Sequence, residues 1–559
     1  MSTPDNNALA GGQLKALSQL LWLVAPLAFG LFALVLGQDA NWDLRNYHYY
    51  NVYAFLHGRL GFDIAPAQTP TYYNPLLHVP FYYLVNALPP RGVGFVLGAL
   101  QGLNLLLIFA IARRLIRVAT PRYAIIIALC AAILGMLGAA NISEIGTTFG
   151  DNVFSLPLLA ALWLVVARQN SLGGAWSTAA VTALAVGVLS GLAVGLKQPA
   201  AVYAIGLGCG FFGLALPWRR RSALFLAYGV GGMFGLATTG GYWLYEMWSH
   251  FGNPLFPYFN SVFQSPMASA ADYRDVRFLP AGWLEWLFFP LVFTLDPGQT
   301  TEAWFRDLRI PLLYCLLIVL MFSRLGELTG VKSGSRKCPV VQDAAYDGML
   351  RYLLIAIVVS YFAWLKMFAI FRYLLVLELL TPLAIWLVVI RLRSDLRSAV
   401  IFSSLSAVVI LATLVPQHWG RVSWSDDYFG VTPPAIPDPD RSMVLATGYE
   451  PTAYLIPFFP PQIRFLRIQS YFTGPSPSPN GTDLLMQRLV AEHQGPLYIL
   501  YQNNEEPTAD SALQAHGLQR QANACQTMHP HIQENINDLL YFCQVSKVRR
   551  QQSAIEGKS

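Results

Sequence analysis

Runs of about 20 apolar residues recur along most of this chain and constrain it more than any single motif does. Hydrocarbon offers no water to satisfy backbone N–H and C=O groups, so each run must close its own hydrogen bonds as a helix. Such runs fall near 16–37, 92–112, 123–140, 152–167, 177–196, 199–217, 223–243, 310–323, 349–366, 373–390 and 398–415. They predict an all-α polytopic membrane protein with about eleven spanning helices. Of the 559 residues, 55% are hydrophobic and 12% charged, whereas a soluble domain carries roughly 25% charged residues. The first run is too long for the apolar core of a signal peptide, and no small-residue cleavage pattern follows it, so it is expected to stay as an anchor.

The net charge of +6 does not point to nucleic acid, because the basic residues cluster between apolar runs. They follow every second run: Arg113, Arg114, Arg117 and Arg122; Arg219, Arg220 and Arg221; Arg324, Lys332, Arg336 and Lys337; Arg391, Arg393 and Arg397. Positive loops stay in the cytoplasm, which puts the N-terminus inside and the C-terminus outside, as in a bacterial inner membrane with a periplasmic face. The same topology sends 38–74, 141–151, 197–199, 242–309, 366–372 and everything after Pro416 to the outer face. All the unusual polar motifs therefore share one side. Within the outer segments, 76–88 and 283–295 are apolar but too short to span, and they read as interfacial or re-entrant pieces.

From about Arg441 the polarity becomes mixed. Strands are expected at 442–447, 497–501 and 539–545, with helices at 482–492 and 509–516, forming a small α/β periplasmic domain. The expected division is a transmembrane domain 1–416, a Pro-rich linker 417–440, the α/β domain 441–546 and a disordered basic tail 547–559. Cys130, Cys209 and Cys315 lie in spans and Cys338 in a cytoplasmic loop, while Cys525 and Cys543 sit in the outer domain, where an oxidising compartment permits a disulfide. The chain has no CxxC and no metal-spaced His/Cys set.

The candidate chemistry lies in the outer segments. Asp39 and Asp43 are four apart, so on a helix they would share a face, one as a base and the other as its partner. A carboxylate at the edge of lipid has its pKa raised by desolvation, which suits it to taking a proton from an acceptor hydroxyl. The alternative makes both solvated interface residues within an aromatic belt of Trp42, Tyr47, Tyr49 and Tyr50. Glu144 and Asp151 form a second acidic pair that suits Mg2+ or Mn2+ beside a phosphate, although Asp151 also reads as a helix cap. Lys197 and Arg372 each stand between apolar runs, either snorkelling to the interface or holding an anionic headgroup. The loop 252–260, with Asn253, offers amide and aromatic surfaces suited to a sugar or to a turn. His48, His57, His78 and His250 read mostly as interface residues.

With these residues in hand, the chain resembles the GT-C superfamily of polytopic glycosyltransferases that use polyprenyl-phosphate sugars. Asp43-Leu44-Arg45-Asn46-Tyr47 is similar to the family's acid motif after the first helix, with Leu44 where a D-E pair has its second acid. Tyr72-Tyr73-Asn74-Pro75-Leu76 is similar to its Y-x-x-P-L element, residues 191–197 to its G-L-A-x-x-x-K segment, and Phe371-Arg372-Tyr373-Leu374 to its R-Y-L motif. The resemblance covers about 16–415 and implies Asp43 as base ahead of Asp39. It also implies Lys197, Arg372 and Tyr373 at the donor phosphate, and Arg45, Tyr47, His48, Asn74 and Asn253 toward acceptor or sugar. The implied partners are a polyprenyl-phosphate-linked sugar, a glycan, lipid or protein acceptor, and membrane lipids. The implied reaction inverts the sugar and places any divalent cation at Glu144 and Asp151. Rival classes are a polymerase or ligase of lipid-linked glycans, a lipid or sugar transporter with Glu378 as its buried charge, and a non-catalytic assembly subunit.

Overall fold

The computed structural model describes residues 4–328, 343–393, 395–533 and 538–548. The expected cytoplasmic residues Lys332, Arg336, Lys337 and Cys338 and the tail from 549 onward lie outside them. Contacts divide the chain into two units. One takes the chain up to Gly37, Arg91–Leu244 and Arg274–Trp419; the other takes Gln38–Pro90, Tyr245–Tyr273 and the described residues from Gly420 on. The second unit thus gathers two segments expected on the outer face with the C-terminal region, where the sequence suggested linear boundaries.

The first unit is helical, and each apolar run falls on helix. Among the described residues, eight helices are long and apolar enough to cross a membrane. The runs at 123–140 and 152–167 give the shorter helices Pro121–Met136 and Asp151–Ala167. The run at 199–217 gives only Ala201–Gly210 before a 3-10 turn, Phe211–Gly213. There the chain packs so closely on the helix Ala344–Met367 that a Cβ at Gly213 would lie 2.7 Å from the backbone of Arg351. Leu375–Leu392 is almost wholly buried and largely apolar, with Glu378 in its first turn and Arg391 in its last. The apolar stretch 283–295 forms the helix Trp283–Leu295.

Close approach of two helices shapes the region before Lys197. In Trp176–Leu196, Gly187 and Gly191 face Trp218–Phe251, and a Cβ at either would stand 2.0 Å from a carbonyl oxygen, of Tyr228 or Gly232 respectively. Small residues at this spacing let helix backbones meet where lipid supplies no hydrophobic drive.

In the second unit a two-residue antiparallel ladder joins β1 (Gln38–Asp39) to β2 (Arg421–Val422), so part of the expected linker is structured. The five-stranded sheet comprises β3 (Met443–Ala446), β4 (Arg464–Arg467), β5 (Leu497–Gln502), β6 (Leu518–Met528) and β7 (Leu540–Lys547), in the order β4-β3-β5-β7-β6. β3 runs parallel to both β4 and β5, and β7 is antiparallel to β5 and β6. Every residue of β3 is buried, as a central strand covered on both faces requires. Helices Gly481–Glu492 and Glu506–Ala515 fall where the sequence suggested them. β4 and β6 add two strands to the three expected. Cys525 on β6 and Cys543 on β7 are register partners and are disulfide-bonded. The first outer segment adds to the β4 edge: Ile64 N–H donates to Phe465 O at 2.9 Å, while Arg59 binds Asp63 through Nε at 2.6 Å and donates to Ile463 O at 2.7 Å. The apolar stretch 76–88 forms the helix Val79–Ala87.

Gly191→Ala is expected to destabilise the protein by about 1–3 kcal/mol through overpacking. Gly229→Ala, with nothing within 4 Å of its Cβ, should be neutral or slightly stabilising. Thermal unfolding of the two variants in one detergent checks the contrast; equal midpoints would remove the close seam.

Candidate active site

In the first unit, four sequence-predicted residues cluster at helix ends. The helix Trp176–Leu196 stops because Pro199 follows, and Lys197 continues in extended backbone at φ −150°. Its Nζ donates to Phe149 O at 2.8 Å and to Asp151 Oδ1 at 2.9 Å. Asp151 opens the helix Asp151–Ala167, and Gly150 before it holds φ +79°. Gly150 takes the cap position and Asp151 is the first residue of the helix, so Asp151 is not the cap residue that the sequence allowed. The second oxygen of its carboxylate lies 3.7 Å from Arg372 Nε. Arg372 sits in the 3-10 turn Phe371–Leu374, its guanidinium 4.1 Å from the Phe149 ring centroid. Lys197 Nζ lies 5.6 Å from the ring centroid of Tyr373. Both cations are largely covered, each with 12% of its side chain exposed, and Asp151 is fully buried, so neither cation snorkels freely.

Glu144 ends the short helix Ala139–Glu144, is fully buried, and neither of its oxygens accepts a hydrogen bond. Burial pushes its carboxyl well above the ordinary carboxylate range; the charge of Asp151 adds to this, while Arg372 and Lys197 oppose it. Asn152 is also fully buried, and neither end of its amide has a partner. Two cations therefore face the Asp151 carboxylate, with the Glu144 carboxyl and an unsatisfied amide buried nearby in the chain. A divalent cation wants about six oxygen ligands, and the described residues hold no group of three or more His, Cys, Asp or Glu that would supply them. Two cations already face Asp151, while both Glu144 oxygens and the Asn152 amide remain without a hydrogen bond.

A buried network absent from the sequence reading holds the Glu144 helix. Glu378 accepts from the N–H groups of Ala140 and Asn141 at 3.0 and 2.9 Å, and Asp307 accepts from that of Ala139 at 3.1 Å. Arg309 binds Asp307 at 2.8 Å and donates to Leu134 O and Leu137 O at 2.9 and 2.8 Å. The two carboxylates satisfy donors at the start of one helix, and the guanidinium satisfies carbonyls at the end of Pro121–Met136. Glu378 is thus a helix-end partner, which removes the buried charge on which a transporter reading leaned. Asp307-Leu308-Arg309 ahead of an apolar run was the available signal.

In the second unit, Asp39 and Asp43 do not share a helix face. Asp39 belongs to β1 and accepts from the backbone and side-chain N–H groups of Asn41 at 3.2 and 2.7 Å. Asn41 in turn accepts from Leu44 N–H at 2.8 Å, turning strand into helix. Asp43 is half-buried in the first turn, just before the π-helical turn Leu44–His48, a distortion common at functional sites. Asp39 therefore anchors this turn rather than partnering Asp43 across a helix face. Arg45 is buried with its Nε unpartnered. Tyr47 packs edge-on against Tyr73 at 5.2 Å, and His48 stacks on His78 at 3.9 Å; both histidines are buried, contrary to an interface role. Asn74 accepts from Leu76 N–H at 3.0 Å. Asn253 is fully buried, accepts from Leu255 N–H at 2.9 Å and donates to Tyr258 O at 3.0 Å, so it holds its own loop and presents no amide to a ligand.

Asp151→Asn is expected to cost about 3–5 kcal/mol, since it leaves two buried cations unpaired. Lys197→Met should cost less, because Arg372 still faces the carboxylate. Thermal melts rank the two, and the reverse order would contradict the shared-carboxylate geometry.

No family model matches the sequence, and no curated protein matches it. A solved structure, the oligosaccharyltransferase of Archaeoglobus fulgidus in its apo form, is similar at a TM-score of 0.45 with 12% identity, over 89% of this chain and 71% of that one.

Proposed function

We propose that this chain is a membrane glycosyltransferase of the GT-C kind, moving a sugar from a polyprenyl-phosphate donor to an acceptor at the periplasmic face of a bacterial inner membrane. The observation that carries this reading is the convergence of Lys197 and Arg372 on the single buried carboxylate of Asp151. Taking two cations out of water is expensive, and their excess positive charge suits a phosphate whose negative charge grows as its bond to the sugar breaks.

In this scheme the acceptor oxygen attacks the anomeric carbon as the bond from that carbon to the phosphate oxygen breaks. The bonding pair leaves with the phosphate, and the acceptor proton passes to Asp43. One displacement at one carbon inverts its configuration. Lys197 and Arg372 hold the departing lipid phosphate, with Tyr373 beside them. Arg45, Tyr47, His48 and Asn74 orient the acceptor or the sugar, while Asp39 and Asn253 act by shaping their turns.

Asp43→Asn is expected to lower donor consumption by about 10²–10⁴-fold, the range of a lost general base. It should leave the melting temperature and the binding of polyprenyl phosphate unchanged. Lys197→Met should instead weaken that binding, and excess chelator should leave the rate within about twofold, well under the tenfold that 1.4 kcal/mol would make. The measurement is loss of label from polyprenyl-phosphate monosaccharides by purified protein in lipid. Full activity in Asp43→Asn would end this reading.

A further inference from the structure

The C-terminal sheet carries a second polar assembly that the transfer scheme leaves unused. β3 sits between β4 and β5, and the chain leaves β3 toward β4 on one side, while beyond β5 it runs on to β6 and β7 on the other. The crevice at the carboxyl ends of parallel strands, where their order reverses, is where such sheets place ligands. Here it is formed by the residues after β3, β4 and β5.

Several groups are built tightly into that end. Gly448 holds φ +94°, and a Cβ there would lie 1.9 Å from Glu505 Oε2, so only glycine fits. Glu505 Oε1 accepts from Tyr449 and Glu450 N–H groups, while its Oε2 and the Thr447 hydroxyl are buried with no partner. Unsatisfied buried polar atoms call for a reason.

Two tyrosines crown this end. Tyr449 is 39% exposed and Tyr471 is 71% exposed, with ring centroids 4.5 Å apart. One side chain fixes both backbones: Gln68 Nε2 donates to Tyr449 O at 2.9 Å, and its Oε1 accepts from Tyr471 N–H at 3.3 Å. Gln68 does so from a backbone at φ +59°, ψ −144°, a strained setting that persists where the surroundings over-determine it. Gln469 accepts from Gly448 N–H and donates to the Tyr449 hydroxyl, both at 3.0 Å. The nearby Arg467 guanidinium is fully buried and spent on Pro66 O and Gly448 O, so it adds no exposed positive charge here. Three residues beyond Tyr471, the same loop begins to wall a cavity of about 190 Å³ lined by Ser476, Asp483, Gln487 and His516.

We propose that this carboxyl-end face, with Tyr449 and Tyr471 as its platform, binds a neutral carbohydrate chain. Aromatic faces stack on the C–H face of a sugar ring, and a hydroxyl held by an amide orients hydrogen bonds to its rim. A phosphorylated ligand would need an exposed cation, which the named groups do not offer. The choice of carbohydrate among polyhydroxyl ligands rests on the glycosyl-transfer reading.

The test is calorimetric titration of the full chain in lipid nanodiscs with neutral hexasaccharides of glucose, mannose and N-acetylglucosamine. At least one is expected to bind, with Tyr471→Ala weakening it about tenfold and Tyr471→Phe staying within about twofold, since the ring and not the hydroxyl makes the platform. Binding is read without turnover, so bound sugar with no donor consumed would end the transfer reading and leave this site standing. No binding of any of the three, or undiminished binding in Tyr471→Ala, overturns the proposal.

Discussion

Exclusion of water from the apolar layer is the constraint on which the rest of the first unit depends. Backbone groups there must be satisfied within helices, so charge is affordable only where helices stop and their end groups need partners. Lys197 follows the end of one helix, Asp151 begins another, Glu144 ends a short third, and Arg372 occupies a 3-10 turn before a fourth. These charged side chains gather at breaks in the helical pattern, while uncharged ones within helices, such as Asn104 and Ser155, are satisfied by neighbouring groups.

The same rule explains the Arg309, Asp307 and Glu378 network. A six-residue helix such as Ala139–Glu144 is far too short to be stable alone. Two carboxylates at its start and a guanidinium at the preceding helix end hold it by charge-assisted hydrogen bonds. Gly138 is required beside them, since a Cβ there would lie 2.1 Å from the Glu378 carboxyl carbon. Glu378 and Arg309 thus act on Glu144 through backbone, as positioning residues.

Legibility in the sequence followed the range of the interaction. The helices were readable because each apolar run answers to lipid alone, and β3, β5 and β7 because their apolar residues crowd together. β4 was missed because Arg464 and Arg467 bracket two apolar residues, and Arg467 is buried only through carbonyls brought from elsewhere in the chain. β6 shows no run of apolar residues, only Leu518 and Met528 at its ends among polar and small ones, and its register with β7 sets it as strand. Gly191 looked like part of a lysine motif, yet its role is contact with Gly232, which no local pattern reports. Asp39 and Asp43 misled because a spacing of four implies a shared face only if the helix is unbroken, and the pairing of β1 with β2 breaks it. Asn253 read as an amide offered to a ligand, but its loop closes on it.

The second unit shows how the segment Gln38–Pro90, which carries Asp43, is fixed against the sheet. Gln38–Pro90 is tied to the sheet at several points along its length. β1 pairs with β2, Ile64 extends the β4 edge, and Asp63 accepts from Phe465 N–H at 2.9 Å while bound to Arg59. Tyr50 donates to that same Asp63 at 2.9 Å, which ties the helix following the π turn to the sheet edge. Asp43 is therefore framed on both sides along the chain, by the Asp39–Asn41 turn before it and by Tyr50 after it. The role of base proposed for Asp43 asks for a closely held donor distance, and these ties to the sheet supply that rigidity.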